Sequence, residues 1–325
     1  MIRISYYVAI VSILFFISSC GKDYVHKLPK SSDEVSEATY NNVLDSIAVK
    51  DKDSDPVSVL FKARKYFPAN FKITLEDEGN DIVMNEAQKR LQVAQSVTRT
   101  AQLEVIRNIR EGISEDEIKQ ITLASFQESK ASGEAFSGVV ASGKNSTNIN
   151  YYSGSRQLHY GDLVLVNVGA KVDGYCGDIS RTYPVSGTFT ERQKQIYKLV
   201  LDTLNHVLKS IVPGKTSLND IDDIALSYLR KSGITARDTS GKELTMDYFM
   251  KRSIAHYTDR KVANLFKNIP IAVGRTVSIG PGIYIESEDI GVRLEDTYLV
   301  TQDKVIGYIF MPESVYDIEY LFKQR

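Results

Sequence analysis

Cys176 and Asp178 stand two residues apart in the run Gly174-Tyr175-Cys176-Gly177-Asp178-Ile179-Ser180. On a strand, that spacing sends both side chains out of one face. A thiol beside a carboxylate can serve as a nucleophile or as a soft metal ligand. The plainer reading, a small strand residue that only packs, is the one we expect for Cys176. The histidines are His26, His159, His206 and His256. His159 precedes the turn Tyr160-Gly161-Asp162 and is expected at the surface. His26 and His206 have no evident partner. Lys and Arg number 40 against 41 Asp and Glu, a net charge of -1, so no basic excess points to nucleic acid.

Longer blocks carry more. Val139-Val140-Ala141-Ser142-Gly143-Lys144-Asn145 comes first, then Gly161-Asp162-Leu163-Val164-Leu165-Val166-Asn167-Val168-Gly169. Next are Gly174-Tyr175-Cys176-Gly177-Asp178-Ile179-Ser180-Arg181-Thr182-Tyr183-Pro184, Gly187-Thr188-Phe189-Thr190 and Pro213-Gly214. Gly280-Pro281-Gly282-Ile283-Tyr284-Ile285 and Gly291-Val292-Arg293-Leu294-Glu295-Asp296 complete the series. In this order they resemble the pita-bread metallopeptidases, the family of aminopeptidase P, prolidase, creatinase and methionine aminopeptidase. The Xaa-Pro aminopeptidases are the nearest kin. The resemblance covers residues 81–325 and implies an α+β fold, a curved antiparallel sheet with helices outside it.

That family holds two divalent metals through two Asp, one His and two Glu, with two further histidines acting on substrate. Position by position, the resemblance puts the first Asp on Asn167, whose amide oxygen is neutral. The second Asp falls on Asp178 and the histidine ligand on His256. The first Glu falls on Gly280 and the last on Glu295. The two helper histidines fall on Asn150 and Ala263. Four ligand carboxylates neutralise two divalent ions, whereas Asp178 and Glu295 neutralise one. A second ion would sit unbalanced in a partly buried site, which is expensive. The expectation is no dinuclear centre, and at most one divalent ion such as Mn(II) on Asp178, His256 and Glu295. Each survivor also has a plain reading: Asp178 holding a strand end, Glu295 pairing with an arginine, His256 as a polar loop residue. Without metal, at least one carboxyl pKa should rise unless a cation fills the gap, and Arg275, near Gly280 in sequence, is one candidate cation.

The elements that must position these residues are readable from periodicity. Apolar residues recur at helical spacing from residue 83 to 109, and Gly112 is expected to stop that helix. Ser114 with Glu117 forms a capping box for the next, which turns Ile118, Ile121 and Phe126 inward. Strand-like runs follow at 135–141, 163–168 and 172–175. Thr190 with Gln193 opens a helix reaching Pro213-Gly214, and a shorter one runs over 217–233. Strands return at 271–279, 282–285 and 291–300. The order fits helices outside one curved sheet.

The N-terminus reads separately. After Arg3 an apolar run spans residues 4–17, short of the roughly 20 needed to cross a bilayer, and suits a signal peptide. It ends in Ile17-Ser18-Ser19-Cys20-Gly21, which resembles the lipobox of bacterial lipoproteins. Residues 1–20 are thus read as a signal peptide lipidated at Cys20. Residues 21–80 are read as a polar tether with a short N-terminal segment, and 81–325 as the peptidase-like domain. With Cys20 lipidated, Cys176 has no disulfide partner. These readings imply a lipid-anchored protein of the bacterial cell envelope, degenerate in its metal site and catalytically inactive, with its cleft kept for a peptide or protein partner. Homodimerisation follows the habit of relatives. The alternative is a mononuclear aminopeptidase acting on Xaa-Pro peptides. Metal-free creatinase chemistry is set aside, because its histidine position is Asn150 here.

Overall fold

The computed structural model describes residues 84–152, 154–258 and 267–325. The readings for Cys20, residues 1–20, residues 21–80 and Ala263 lie outside these residues.

Helix α1 (Glu86–Asn108) opens with a capping box between Asn85 and Gln88. It stops at Asn108, earlier than Gly112; Ile109 caps it, and Gly112 at φ +83 forms the turn before the next helix. Helix α2 (Glu115–Glu128) starts at the Ser114–Glu117 capping box, with Ile118 and Phe126 buried and Ile121 half-buried. Helices α3 (Glu191–Ser210) and α4 (Leu218–Arg230) begin at the capping boxes of Thr190 with Gln193 and of Ser217 with Asp220.

The first sheet comprises β2 (Val139–Ser142), β3 (Leu163–Val168) and β6 (Ile179–Pro184), ordered β2-β3-β6 and antiparallel. Strand β3 is apolar at nearly every position because both its faces are covered, which abolishes the alternation of a half-buried strand. The small β1 (Gly133–Glu134), β4 (Ala170–Val172) and β5 (Tyr175–Cys176) lie beside it. The expected strand over 172–175 is a hairpin: Asp173 and Gly174 both take positive φ, 49° and 84°, the pair a type I′ turn requires. Strands β7 (Thr235–Arg237) and β8 (Glu243–Thr245) form a separate hairpin.

The second main sheet contains β9 (Ala255–Tyr257), β10 (Thr276–Ile279), β13 (Asp296–Val300) and β14 (Val305–Gly307), ordered β14-β13-β10-β9. Strands β11 (Gly282–Ile285) and β12 (Ile290–Arg293) pair with each other. The expected run over 291–300 is thus two strands, broken at Leu294 and Glu295. Helix α5 (Val315–Lys323) closes the chain.

The two main sheets join where the chemistry was expected. Ser180 in β6 and Glu295 between β12 and β13 exchange both backbone hydrogen bonds at 3.1 Å. Asn167 faces Ser180 across β3–β6, and Ile279, before Gly280, faces Asp296 across β10–β13. The register therefore sets Asn167, Ser180, Glu295 and Gly280 in one lateral row.

Helix α1 is pinned to this junction by two glutamines seven residues apart, two turns on one face. Gln102 donates to the carbonyls of Val166 and Ile179, both at 3.1 Å, and Gln95 donates to Thr297 Oγ1 at 2.6 Å. The approach is close at Gly177, where a Cβ would lie 2.1 Å from Thr98 Oγ1 and 2.6 Å from the Ala94 carbonyl. Gly177→Ala should wedge α1 off the segment carrying Asp178, costing about 1–3 kcal/mol. Thermal denaturation would register this as a drop of several degrees, and an unchanged melting temperature would refute the close-packing argument.

Candidate metal centre and cleft

Asp178, His256 and Glu295 come from three separate parts of the chain. Asp178 precedes β6, with its backbone N–H donating to Gln95 Oε1 at 3.3 Å. His256 is in β9, opposite Ser278 of β10. Glu295 is fixed by its bridge to Ser180. One ligand atom from each of the three lies within 4.8 Å of the others. His256 Nε2 stands 3.3 Å from Asp178 Oδ2 and 3.4 Å from Glu295 Oε1.

The cation set against these carboxylates is Arg293, which corrects the expectation of Arg275. Its guanidinium reaches Glu295 Oε2 at 2.8 Å, and the Ser180 hydroxyl donates to the same oxygen at 3.0 Å. Burial would push the Glu295 carboxyl up, but Arg293 and His256 override it and hold the pKa at about 2. Asp178 moves the other way, raised by burial first and by the neighbouring Glu295 charge second, despite His256 and Arg293. For His256, burial disfavours the charged ring, yet hydrogen bonds to Asp178 and Glu295 push its pKa up to about 10. Asp178 and Glu295 thus face two cationic side chains, His256 and Arg293.

Of the two positions where the resemblance implied a metal ligand and the chain has no carboxylate, Gly280 is closed sterically. A Cβ on Gly280 would lie 2.6 Å from Glu295 Cδ and 2.7 Å from its Cβ and Cγ. Glu295 therefore fills the room a side chain at 280 would need. Asn167 is at the other end of the row, its Oδ1 buried without a hydrogen-bond partner among the described residues, as is Asp178 Oδ1. These donors do not fit two divalent ions: one position is filled, another is neutral, and Arg293 holds Glu295. They do fit one ion, which would take a carboxylate oxygen from Asp178 and Glu295 and Nε2 of His256.

Such an ion must displace the His256 proton, because only the neutral ring is a ligand. The proton stays until the pH passes about 10, so it competes at neutral pH. Mn(II) affinity should therefore rise about tenfold per pH unit between roughly pH 6 and 9, with about one proton released per ion. Calorimetry in buffers of different ionisation enthalpy reads this directly, and a pH-independent affinity would remove His256 from the ligand set.

The site opens into a cleft of about 860 Å³, whose lining includes Asp178, His256, Cys176, Phe136, Tyr175 and Arg275. Cys176 and Asp178 both line it, but not from one continuous strand: β5 ends at Cys176 and β6 begins at Ile179. Cys176 lies outside the three-residue ligand group. Asn150 is exposed in a turn, its N–H donating to Asn148 Oδ1 at 3.0 Å. His159 is on the surface, two-thirds exposed. The sequence reading missed Arg293 and Ser180, although each stands two residues from a candidate ligand, the spacing that puts strand neighbours on one face.

A curved antiparallel sheet with helices outside it, holding Asp, His and Glu at the junction of its two halves, defines the pita-bread class of metallopeptidase folds. Residues 89–302 match metallopeptidase family M24, and the chain belongs to that family. It is 30% identical over 252 residues to the Xaa-Pro aminopeptidase of Haemophilus influenzae, covering 71% of this chain and 58% of the relative. It is 29% identical over 259 residues to Xaa-Pro aminopeptidase 3 of Homo sapiens, covering 73% and 50%. The chain thus spans half to three-fifths of these relatives. Zn-substituted aminopeptidase P of E. coli in complex with product superposes with a TM-score of 0.63 at 25% identity, covering 74% of this chain and 59% of that one. Proline aminopeptidase P II of Yersinia pestis shares the fold, with a TM-score of 0.63.

Proposed function

We propose that this chain is a lipid-anchored envelope protein of the aminopeptidase P type that does not hydrolyse peptides and uses its cleft to bind one. The single observation behind this reading is the charge closure of the site. Arg293 and His256 neutralise Asp178 and Glu295 without a metal, and Glu295 fills the space above Gly280. Divalent ions in such a site would polarise the scissile carbonyl and activate water. Here Asn167 and Gly280 supply no charge to hold a pair of them. The cleft is open to His256 and walled by Phe136, Tyr175 and Tyr257.

The second reading, a mononuclear aminopeptidase, draws support from the oxygens of Asn167 and Asp178 that have no hydrogen-bond partner among the described residues. Hydrolysis assays on Xaa-Pro peptides with excess Mn(II) separate the two. The non-catalytic reading expects turnover no greater than that of Glu295→Ala. Turnover that Glu295→Ala abolishes would replace it with the mononuclear one. Anchoring is tested by mass spectrometry of the membrane fraction: a diacylglyceryl adduct on Cys20, lost together with membrane association in Cys20→Ser, is the expected result.

A further inference from the structure

The cleft wall carries one charge that no described residue answers. Among the described residues lining it, only Asp178, His256 and Arg275 are ionisable to a full charge near neutrality. Asp178 and His256 answer each other at 3.3 Å. Glu295 is fully buried, is held by Arg293 at Oε2 and by His256 at Oε1, and is not part of the cleft wall. The Arg275 side chain is exposed and makes no hydrogen bond or ion pair to any described residue.

Its backbone, in contrast, is firmly placed. Gly274 takes φ +85 and donates to the Val300 carbonyl at 2.7 Å. Val300 N–H donates to the Arg275 carbonyl at 2.9 Å, and Arg275 N–H to that of Ala272 at 3.2 Å. Gln88 at the start of α1 donates to the Gly274 carbonyl at 3.4 Å. The turn therefore presents, from a fixed base, a guanidinium with no partner among the described residues. Beside it the wall is apolar: Phe136, Tyr175 and Pro270 line the cleft, with Ile269 half exposed.

We infer that this cleft takes the carboxylate end of a peptide, with the C-terminal carboxylate on Arg275 and an apolar side chain against Phe136 and Ile269. The inference rests on the peptide-binding reading above and says which end of the peptide is recognised. A guanidinium matches a carboxylate with two parallel N–H···O bonds, a geometry a lysine cannot copy. An incoming ammonium meets a single carboxylate in the described wall, Asp178, whose charge His256 already faces at 3.3 Å. An apolar terminal residue gains from covering the exposed Ile269.

The test uses the full chain in detergent and three probes: N-acetyl-Ala-Leu-Phe as free acid, the same peptide as C-terminal amide, and Ala-Leu-Phe amide with a free amine. Titration calorimetry should show the free acid binding about tenfold tighter than its amide, with the gap narrowing as salt rises. Arg275→Gln should erase the gap at an unchanged melting temperature, and Arg275→Lys should keep only part of it. If acid and amide bind alike, if Arg275→Gln keeps the gap, or if the free-amine peptide binds tightest, the assignment of the carboxylate end is wrong while peptide binding stands. If none of the three binds, the peptide-binding reading falls and takes this inference with it.

Discussion

Arg181→Met is expected to lower the melting temperature by roughly 6–20 °C, because it strips a buried carboxylate of its cation. The Arg181 side chain is fully buried and donates to both oxygens of Asp296, at 3.0 and 2.9 Å. It also donates to the carbonyls of Pro312, Ser180, Glu295 and Met311. It thus ties β6, the Glu295 bridge and the segment before α5 to one point. Burial works against its charge, but Asp296 and Glu313 more than offset this and hold the guanidinium protonated. Removing one partner of a buried pair costs about 3–5 kcal/mol, and each kcal/mol moves the melting point about 2–4 °C in a domain of this size. The double variant Arg181→Met with Asp296→Leu should recover part of the loss, since an apolar pair leaves no carboxylate stranded. Circular dichroism melts of the three proteins check this. A single variant melting within about 2 °C of the parent would show that the pair does not hold the junction.

What was legible in the chain follows the range of each interaction. The capping boxes at Ser114, Thr190 and Ser217 close over three residues, so the starts of α2, α3 and α4 could be read directly. Strands Leu163–Val168 and Gly282–Ile285 likewise have the bounds their apolar runs suggested. The three-residue group of Asp178, His256 and Glu295 was reachable only through the family resemblance, since its members lie far apart in sequence. The cation was misplaced for the same reason. Arg275 is near Gly280 along the chain, but the lateral row is set by the Ser180–Glu295 bridge, and that register brings Arg293 to Glu295. The hairpin at Asp173-Gly174 carried a local signal, an Asp-Gly pair between apolar residues, that the strand reading passed over. The loss of a ligand at Gly280 was visible as a missing carboxylate. That Glu295 fills the vacated volume could be seen only once the strands were paired.

Arg293→Met is the variant that asks whether the guanidinium stands in for a metal ion. Without it, Asp178 and Glu295 keep only the His256 imidazolium, and the buried cluster carries a net negative charge. Arg293 keeps a quarter of its side chain exposed, which puts the expected loss at the lower end for a broken buried pair, about 3 kcal/mol. That corresponds to a fall of roughly 6–12 °C. A divalent cation should then repair the variant, because it restores charge where a proton on His256 alone cannot. At one hundred times its dissociation constant a ligand adds about 2.7 kcal/mol to the native state, so Mn(II) should return most of the lost melting temperature. The parent protein should gain far less, since there an ion must displace both the His256 proton and the Arg293 contact. Glu295→Gln in the Arg293→Met background removes a ligand carboxylate and should abolish the rescue. Differential scanning calorimetry with and without Mn(II) reads all three proteins. If the ion stabilises the parent as strongly as the variant, Arg293 does not occupy the ion's electrostatic place, and the site would have to be regarded as metal-binding in its native form.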